Sequence, residues 1–205
     1  MKELIKKSLQ KGYSYGEYRS LVSNLLADNK STGVHQSEAL LNYSLLNDRR
    51  MKRLDKTTKL SEESIESLKE IKSPQTWLVI TEGWCGDAAQ NLPVINKLAA
   101  EHPQIDLKLV LRDENLDLMD EFLTNGGRAI PKLIILDEDK KVLDSWGPRP
   151  SIATKMVADY KKEKGSLDAE FKKDLQVWYN KDKGINVQKD IISILEKEHK
   201  AVSCS

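Results

Sequence analysis

The most constraining stretch of this 205-residue chain is a single junction: the run TWLVIT at 76–81 leads through Glu82-Gly83 into Trp84-Cys85-Gly86, and a helical pattern starts at once. The run is β-branched and aromatic, too short for a helix and suited to a buried strand. From Gly86 onward DAAQNLPVINKLAAEH places Leu92, Ile95, Leu98 and Ala99 at helical spacing. A cysteine is thus expected where a strand ends and a helix begins. Unpaired backbone N–H groups and the helix dipole favour an anion there, and such positions lower a thiol's pKa. Asp87 opposes this, since a second negative charge nearby disfavours the thiolate. The sign of the net shift stays open at this level. Pro93 falls inside the expected helix, where it removes one backbone hydrogen bond and predicts a kink.

The segments after the junction alternate. IDLKLVLR at 105–112 reads as a strand, ENLDLMDEFLTNGG as a helix stopped by Asn125-Gly126-Gly127, and PKLIILDEDKKVLDSWG as two strands, 132–136 and 141–146, joined by the turn Asp137 to Lys140. Strand, helix, strand, helix and hairpin together imply a mixed central sheet with helices on both faces. Before the junction, LIKKSL, YRSLVSNLLAD, EALLNYSLLNDRRMKRL and SEESIESLKEIK carry helical periodicity, the last starting at Ser61 and stopping at Ser73-Pro74. After Pro150, three further helical segments follow: SIATKMVADYKKEK, LDAEFKKDLQVWYNK and VQKDIISILEKEHK. The organisation expected is a helical N-terminal extension at 1–73, an α/β core at 74–164, and C-terminal helices at 165–205 packed on that core.

The charge balance, 33 basic against 32 acidic residues, gives no global attraction to nucleic acid or anionic membranes. The basic cluster DRRMKRLDK at 48–56 reads as a solvated helix face. No apolar run is long enough for a spanning helix, and the first residues lack the apolar core of a secretory signal. With two cysteines only, Cys85 and Cys204, a secreted disulfide framework is excluded, which fits a reducing, cytoplasmic setting.

Pro131 precedes a strand in GGRAIPKLIILD, where a proline fits only as a first residue or in a special turn. Trp84-Cys85-Gly86 at a strand–helix junction, Pro93 in the following helix and Ile130-Pro131 before the hairpin occur in that order. On these motifs the chain from about 74 to 160 resembles the thioredoxin family, and more narrowly a bacterial branch with a helical N-terminal extension and the segments W-C-G-D and G-G-R-x-I-P-K. The resemblance implies a thioredoxin-like α/β fold with extra helices at both ends. It also implies a cis proline at 131 facing the active cysteine, with the backbone of Ile130 binding an extended substrate segment. One departure matters. The family's second motif cysteine is replaced by Ala88, and a dithiol reductase needs that second thiol to resolve its mixed disulfide.

Two functions follow from a lone thiol. In the first, Cys85 is the nucleophile of a monothiol exchange on a disulfide-containing protein or small-molecule thiol adduct, with a small thiol as co-substrate and resolving partner. Trp84, Gly86, Asp87, Ile130 and Pro131 would line the substrate site, and Arg128 would supply positive charge. In the second, the domain is a redox-inactive binding module for a protein or peptide and Cys85 is a small half-buried residue. Cys204, near the C-terminus, is the candidate resolving thiol in this chain. Further expectations are that Glu82 faces solvent or assists proton transfer and that Asp87 caps the helix. Asp113, Glu114 and Asn115 are expected as helix N-terminal residues, and Trp77, Trp146 and Trp178 in packing roles. No metal is expected, because His35, His102 and His199 lack ligand spacing to Cys85. No other cofactor is expected either, and the oligomeric state is open.

Overall fold

The computed structural model describes residues 1–203, with side chains through residue 197. Four helices come first: α1 (Lys2–Leu9), α2 (Tyr15–Ala27), α3 (Glu38–Thr57) and α4 (Glu62–Leu68). Three of them start on serine caps. The Ser14, Ser37 and Ser61 hydroxyls accept from the N–H groups of Glu17, Leu40 and Ser64, satisfying donors that the first turn leaves free. Helix α4 stops at Leu68, short of the Ser73-Pro74 stop that its sequence suggests.

A four-stranded sheet follows in the order β2-β1-β3-β4. Strand β1 (Gln75–Thr81) pairs parallel with β2 (Ile105–Leu111), Trp77 opposite Leu107, and antiparallel with β3 (Lys132–Leu136), Trp77 opposite Ile135. Strand β4 (Val142–Trp146) completes the sheet beside β3, with a register shift at Ile135/Leu136. Because β1 is central and covered, it can be a continuous apolar run: Trp77, Leu78, Val79 and Ile80 are each wholly buried. Each such aliphatic side chain contributes about 2 kcal/mol through its removal from water.

The outer edge of β2 is not bare. Tyr13, in the link between α1 and α2, exchanges both backbone hydrogen bonds with Leu109, at 2.8 Å each.

Helix α5 (Gly86–Glu101) connects β1 to β2 and contains Pro93. It is covered on several sides, since α3, α4 and α9 (Ile185–Ser203) all pack against it. Leu92, Val94, Ile95 and Leu98 are buried accordingly. Helix α9 reaches the N-terminal helices as well. Gln188 accepts from the Ser61 N–H and donates to the Lys59 carbonyl. Helices α7 (Ser151–Lys164) and α8 (Ala169–Asp182) share a separate apolar cluster of Ala153, Val157, Phe171, Leu175 and Tyr179.

The sequence pattern and the structure part company over ENLDLMDEFLTNGG. Instead of one long helix there is a 3-10 turn (Arg112–Glu114), a five-residue helix α6 (Leu116–Asp120), and a tight turn. Thr124 and Gly127 exchange backbone hydrogen bonds across Asn125 and Gly126, both at positive φ (50° and 75°). Asn-Gly serves equally as a helix stop or as a two-residue hairpin turn, because both need positive φ. Here the second use prevails. The segment 48–56 is only partly solvated: Asp48 and Met51 are buried, and Arg50 is half-buried against α5.

Candidate functional site

The turn between β1 and α5 is held from two directions. The Cys85 N–H donates to the Glu82 carbonyl at 3.2 Å, closing the turn internally. From the N-terminal extension, Thr32 Oγ1 in the α2–α3 link accepts from the Gly83 N–H at 2.8 Å, and Asn47 Nδ2 of α3 donates to the Gly83 carbonyl at 3.0 Å. A Cβ at Gly83 would already be in contact with Thr32 and with Val22 of α2, each 3.4 Å away.

Cys85 is the N-cap of α5. Its sulfur accepts from the Ala88 N–H at 3.4 Å and its thiol donates to the Ile130 carbonyl at 3.3 Å. The residue is only 9% exposed. Burial pushes the thiol up to about 12, and the Asp87 charge adds to this. The N–H groups of Ala88 and Asp87 and the Arg149 guanidinium pull the other way without overcoming it. A helix start does favour the thiolate, but dehydration of the sulfur outweighs it. Ala88, in the place of a second thiol, is 1% exposed.

The Ile130–Pro131 peptide bond is cis. Behind it stands Gly147 at φ +120°, where a Cβ would lie 2.1 Å from the Pro131 carbonyl oxygen. Only glycine fits at that position.

Asp87 does not cap the helix. Its half-buried carboxylate lies between Arg149 Nη2 at 2.6 Å and the Tyr179 hydroxyl at 2.9 Å, while Cys85 takes the cap. Burial raises the Asp87 pKa, and Arg149, then Tyr179, lower it in part. Arg128 is likewise elsewhere engaged: it is exposed and forms a two-pronged ion pair with Asp120, at 2.6 and 2.7 Å. The cation that acts on Cys85 is Arg149. Glu82 is wholly buried rather than solvent-facing, its Oε1 accepting from the Asp113 N–H at 3.0 Å, and burial raises its pKa.

Trp84 is half-buried, with the Arg112 guanidinium 4.7 Å from its ring centroid. Asp113 holds that arginine at 2.8 Å. Asn115 is buried and bonds the Leu111 carbonyl and the Ser8 hydroxyl, so these residues brace the 3-10 turn. Gly86 faces α3 and α8, with Arg50 Nη1 and Gln176 Nε2 at 3.7 and 3.8 Å from its Cβ position. Trp77 and Trp146 are buried, the latter donating to Asp190, and Trp178 packs edge-on to Tyr179. Cys204 lies outside the described residues. Among the described residues no group of three His, Cys, Asp or Glu side chains could hold a metal ion. No helix among them is long and apolar enough to cross a membrane.

The structure places Trp84, Cys85, Gly86 and Asp87 on one turn with Ile130-Pro131 beside the cysteine, and Arg128 on Asp120 instead. Asn47, Arg149, Gln176 and Tyr179 also reach the site and were not expected from the sequence.

Two solved structures resemble this fold. A protein of unknown function from Pseudomonas aeruginosa superimposes with a TM-score of 0.56 at 21% identity, over 90% of this chain and 98% of that one. An HIV epitope-scaffold gives 0.54 at 21% identity, over 90% and 99%. No curated protein matches significantly. The thioredoxin family model, in contrast, matches residues 33–161, which takes in α3 through most of α7 and every strand. With that match across the motif, the proline loop and the sheet, the chain belongs to the thioredoxin family.

Proposed function

We propose that this protein carries out single-cysteine thiol–disulfide exchange, with Cys85 as nucleophile and an external small thiol as the resolving partner. The observation that carries the reading is the placement of the Cys85 sulfur at the start of α5, 3.3 Å from the carbonyl of Ile130 that precedes Pro131. An extended disulfide-bearing segment lying along Ile130 and Pro131 would meet the sulfur directly. Ala88 restricts the chemistry to one thiol, so a mixed disulfide formed on Cys85 waits for a second molecule.

Burial pushes the thiol well above its ordinary value, so at neutral pH it is held protonated and exchange depends on removal of the proton in the encounter complex. That protonation favours a second reading, a binding module whose thiol is only a hydrogen-bond donor to Ile130. Intact-mass measurement after exposure to glutathione disulfide separates the two. A mixed disulfide on the wild type, absent from Cys85→Ser and removed by free glutathione, supports exchange. A wild type that stays unmodified, although a small alkylating agent reaches Cys85, supports the binding module.

A further inference from the structure

Among the described residues, one cation at the motif turn has no carboxylate partner. Arg50 of α3 is half-buried, and its Nη1 donates to a neutral amide, Asn47 Oδ1, at 2.9 Å. The nearby acids of the same helix are engaged elsewhere: Asp48 with Arg19 and Lys52, Asp55 with Arg19 and the Tyr15 hydroxyl. Asp87 is held by Arg149 and Tyr179. Burial, and then the Arg53 charge, lower the Arg50 pKa, the response of a guanidinium that has lost water without gaining an anion.

A second donor meets it. Gln176 Oε1 accepts from Gln90 Nε2 at 2.8 Å, which leaves the Gln176 Nε2 end to face the motif. Arg50 Nη1 and Gln176 Nε2 lie 3.7 and 3.8 Å from one point, the place a Cβ would take at Gly86. Outside the glycine's own turn, no acceptor of the described residues comes within 4 Å of that point. Glycine leaves the space open, and N–H groups from two different helices border it. Because Gly86 follows Cys85 directly, the point is within about 8 Å of the sulfur. The next step along α3 and α8 is basic as well. Arg53 Nη2 donates to Asn180 Oδ1 at 2.7 Å, and a cavity of about 300 Å³ there is lined by Arg53, Asn180 and Lys183, with no acid in its walls.

We propose that Arg50 and Gln176 form a carboxylate seat beside Cys85, which selects small thiols bearing a carboxylate as the partners of the exchange. The proposal rests on the exchange reading and names a substrate class for it. The carboxylate accepts from both nitrogens, and partial burial strengthens a charge-assisted bond of this kind. The ligand's sulfur, a few bonds away, then meets Cys85. In the step itself the Cys85 sulfur bonds to one sulfur of the small thiol's disulfide, the S–S bond of that disulfide breaks, and the departing thiolate takes the Cys85 proton. The products are a mixed disulfide on Cys85 and one free small thiol. Attack by a second small thiol runs the step in reverse, so no other oxidant or reductant enters. The cation that the sequence suggested for this purpose, Arg128, is replaced by one from the N-terminal extension.

The test uses four proteins, all carrying Cys204→Ser: the parent, Arg50→Gln, Gln176→Leu and, as control, Arg128→Gln, whose guanidinium sits on Asp120. Each is treated at neutral pH with two small disulfides that differ in charge, dithiodipropionate and hydroxyethyl disulfide, and the adduct on Cys85 is followed by intact mass. Rates are divided by those of the same reagents with free mercaptoethanol, which removes their intrinsic difference. Iodoacetate and iodoacetamide form a second charged and neutral pair that needs no disulfide chemistry. Thermal unfolding is recorded alongside.

The parent is expected to favour the carboxylate reagent about tenfold in both pairs, and less so at high salt. Arg50→Gln should abolish the preference while the neutral reagents react as before. Gln176→Leu should reduce it, and Arg128→Gln should keep it. A preference absent from the parent, or one that survives Arg50→Gln, overturns the seat. Should Arg50→Gln fail to fold, an undiminished preference in Gln176→Leu overturns it instead. An Arg50-dependent preference with the alkylating pair, while neither disulfide forms an adduct, sinks the exchange reading and leaves the seat standing. Disulfides that react without regard to charge do the reverse. A Cys85 that no reagent modifies overturns both.

Discussion

The Cys85 thiol donates its hydrogen bond to the Ile130 carbonyl oxygen, 3.3 Å away, so the carbonyl proposed to receive a substrate backbone is, at rest, occupied by the proton of the proposed nucleophile. Any ligand using that carbonyl competes with the thiol for it. Burial, with the Asp87 charge second, should hold the thiol far above a free cysteine. Its alkylation rate should climb about tenfold per pH unit through the neutral range without a plateau, as measured with iodoacetamide on a variant in which Cys204 is replaced by serine. A plateau beginning near or below neutral pH would mean that the helix start, not burial, governs the sulfur.

Asp87→Asn removes the charge that most raises the thiol after burial itself. Cys85 should then react faster at neutral pH, by about tenfold, the equivalent of one pKa unit. The cost is a partly buried guanidinium without its partner, and unfolding free energy should fall by about 2 kcal/mol. Arg149→Leu should shift reactivity in the opposite direction with a similar loss of stability. Urea unfolding beside alkylation kinetics gives both quantities on the same samples.

Glu82 offers a test by pH. Its pKa is raised in the folded state, so the folded protein holds a proton there that the unfolded chain releases first. The favourable contribution is fully present below the unfolded value near 4.5 and is lost as pH rises through the folded one. Glu82→Gln, which cannot ionise, should therefore gain stability relative to wild type as pH increases from the acid side, and then level off. Denaturation midpoints at a series of pH values check this, and a gap that shrinks with rising pH would reverse the assignment.

At Gly147 the backbone is committed twice, by φ +120° and by the Pro131 oxygen lying where a Cβ would go. Gly147→Ala should cost about 3 kcal/mol, and it should loosen the Pro131 loop, raising the accessibility of Cys85. Thermal unfolding and alkylation rate should change together.

Ala88→Cys restores the missing thiol at a position whose N–H already lies 3.4 Å from the Cys85 sulfur. Under glutathione disulfide this variant should lose two hydrogens by intact mass, in place of the single adduct expected of the wild type. Persistence of the single adduct would place the two side chains too far apart for a dithiol cycle.

Much of this architecture could be read from residue order alone. Strand β1 and helix α5 were legible because one is a continuous apolar run and the other keeps its spacing through Leu92, Ile95 and Leu98. The stretch after β2 was not, since Asn125-Gly126 satisfies two backbone rules and only packing decides between them. At the site, the motif and the proline loop announced themselves, whereas their electrostatic partners did not. Arg149 and Tyr179 reach Asp87 from distant segments, and Thr32 and Asn47 reach Gly83 from the N-terminal extension. Contacts of that kind leave no periodicity. Arg128 illustrates the converse: adjacency in sequence suggested a role, and Asp120 had already claimed its guanidinium.

The two backbone bonds between Tyr13 and Leu109 have a wider meaning for how this molecule survives in a crowded solution. The far side of β2 would otherwise present free donors and acceptors, the kind of template onto which another chain's strand can add. By seating a short stretch of the N-terminal segment there, the fold occupies its own sticky rim. Trimming the chain past Tyr13 should accordingly show up first as clumping, before any loss of the sheet itself.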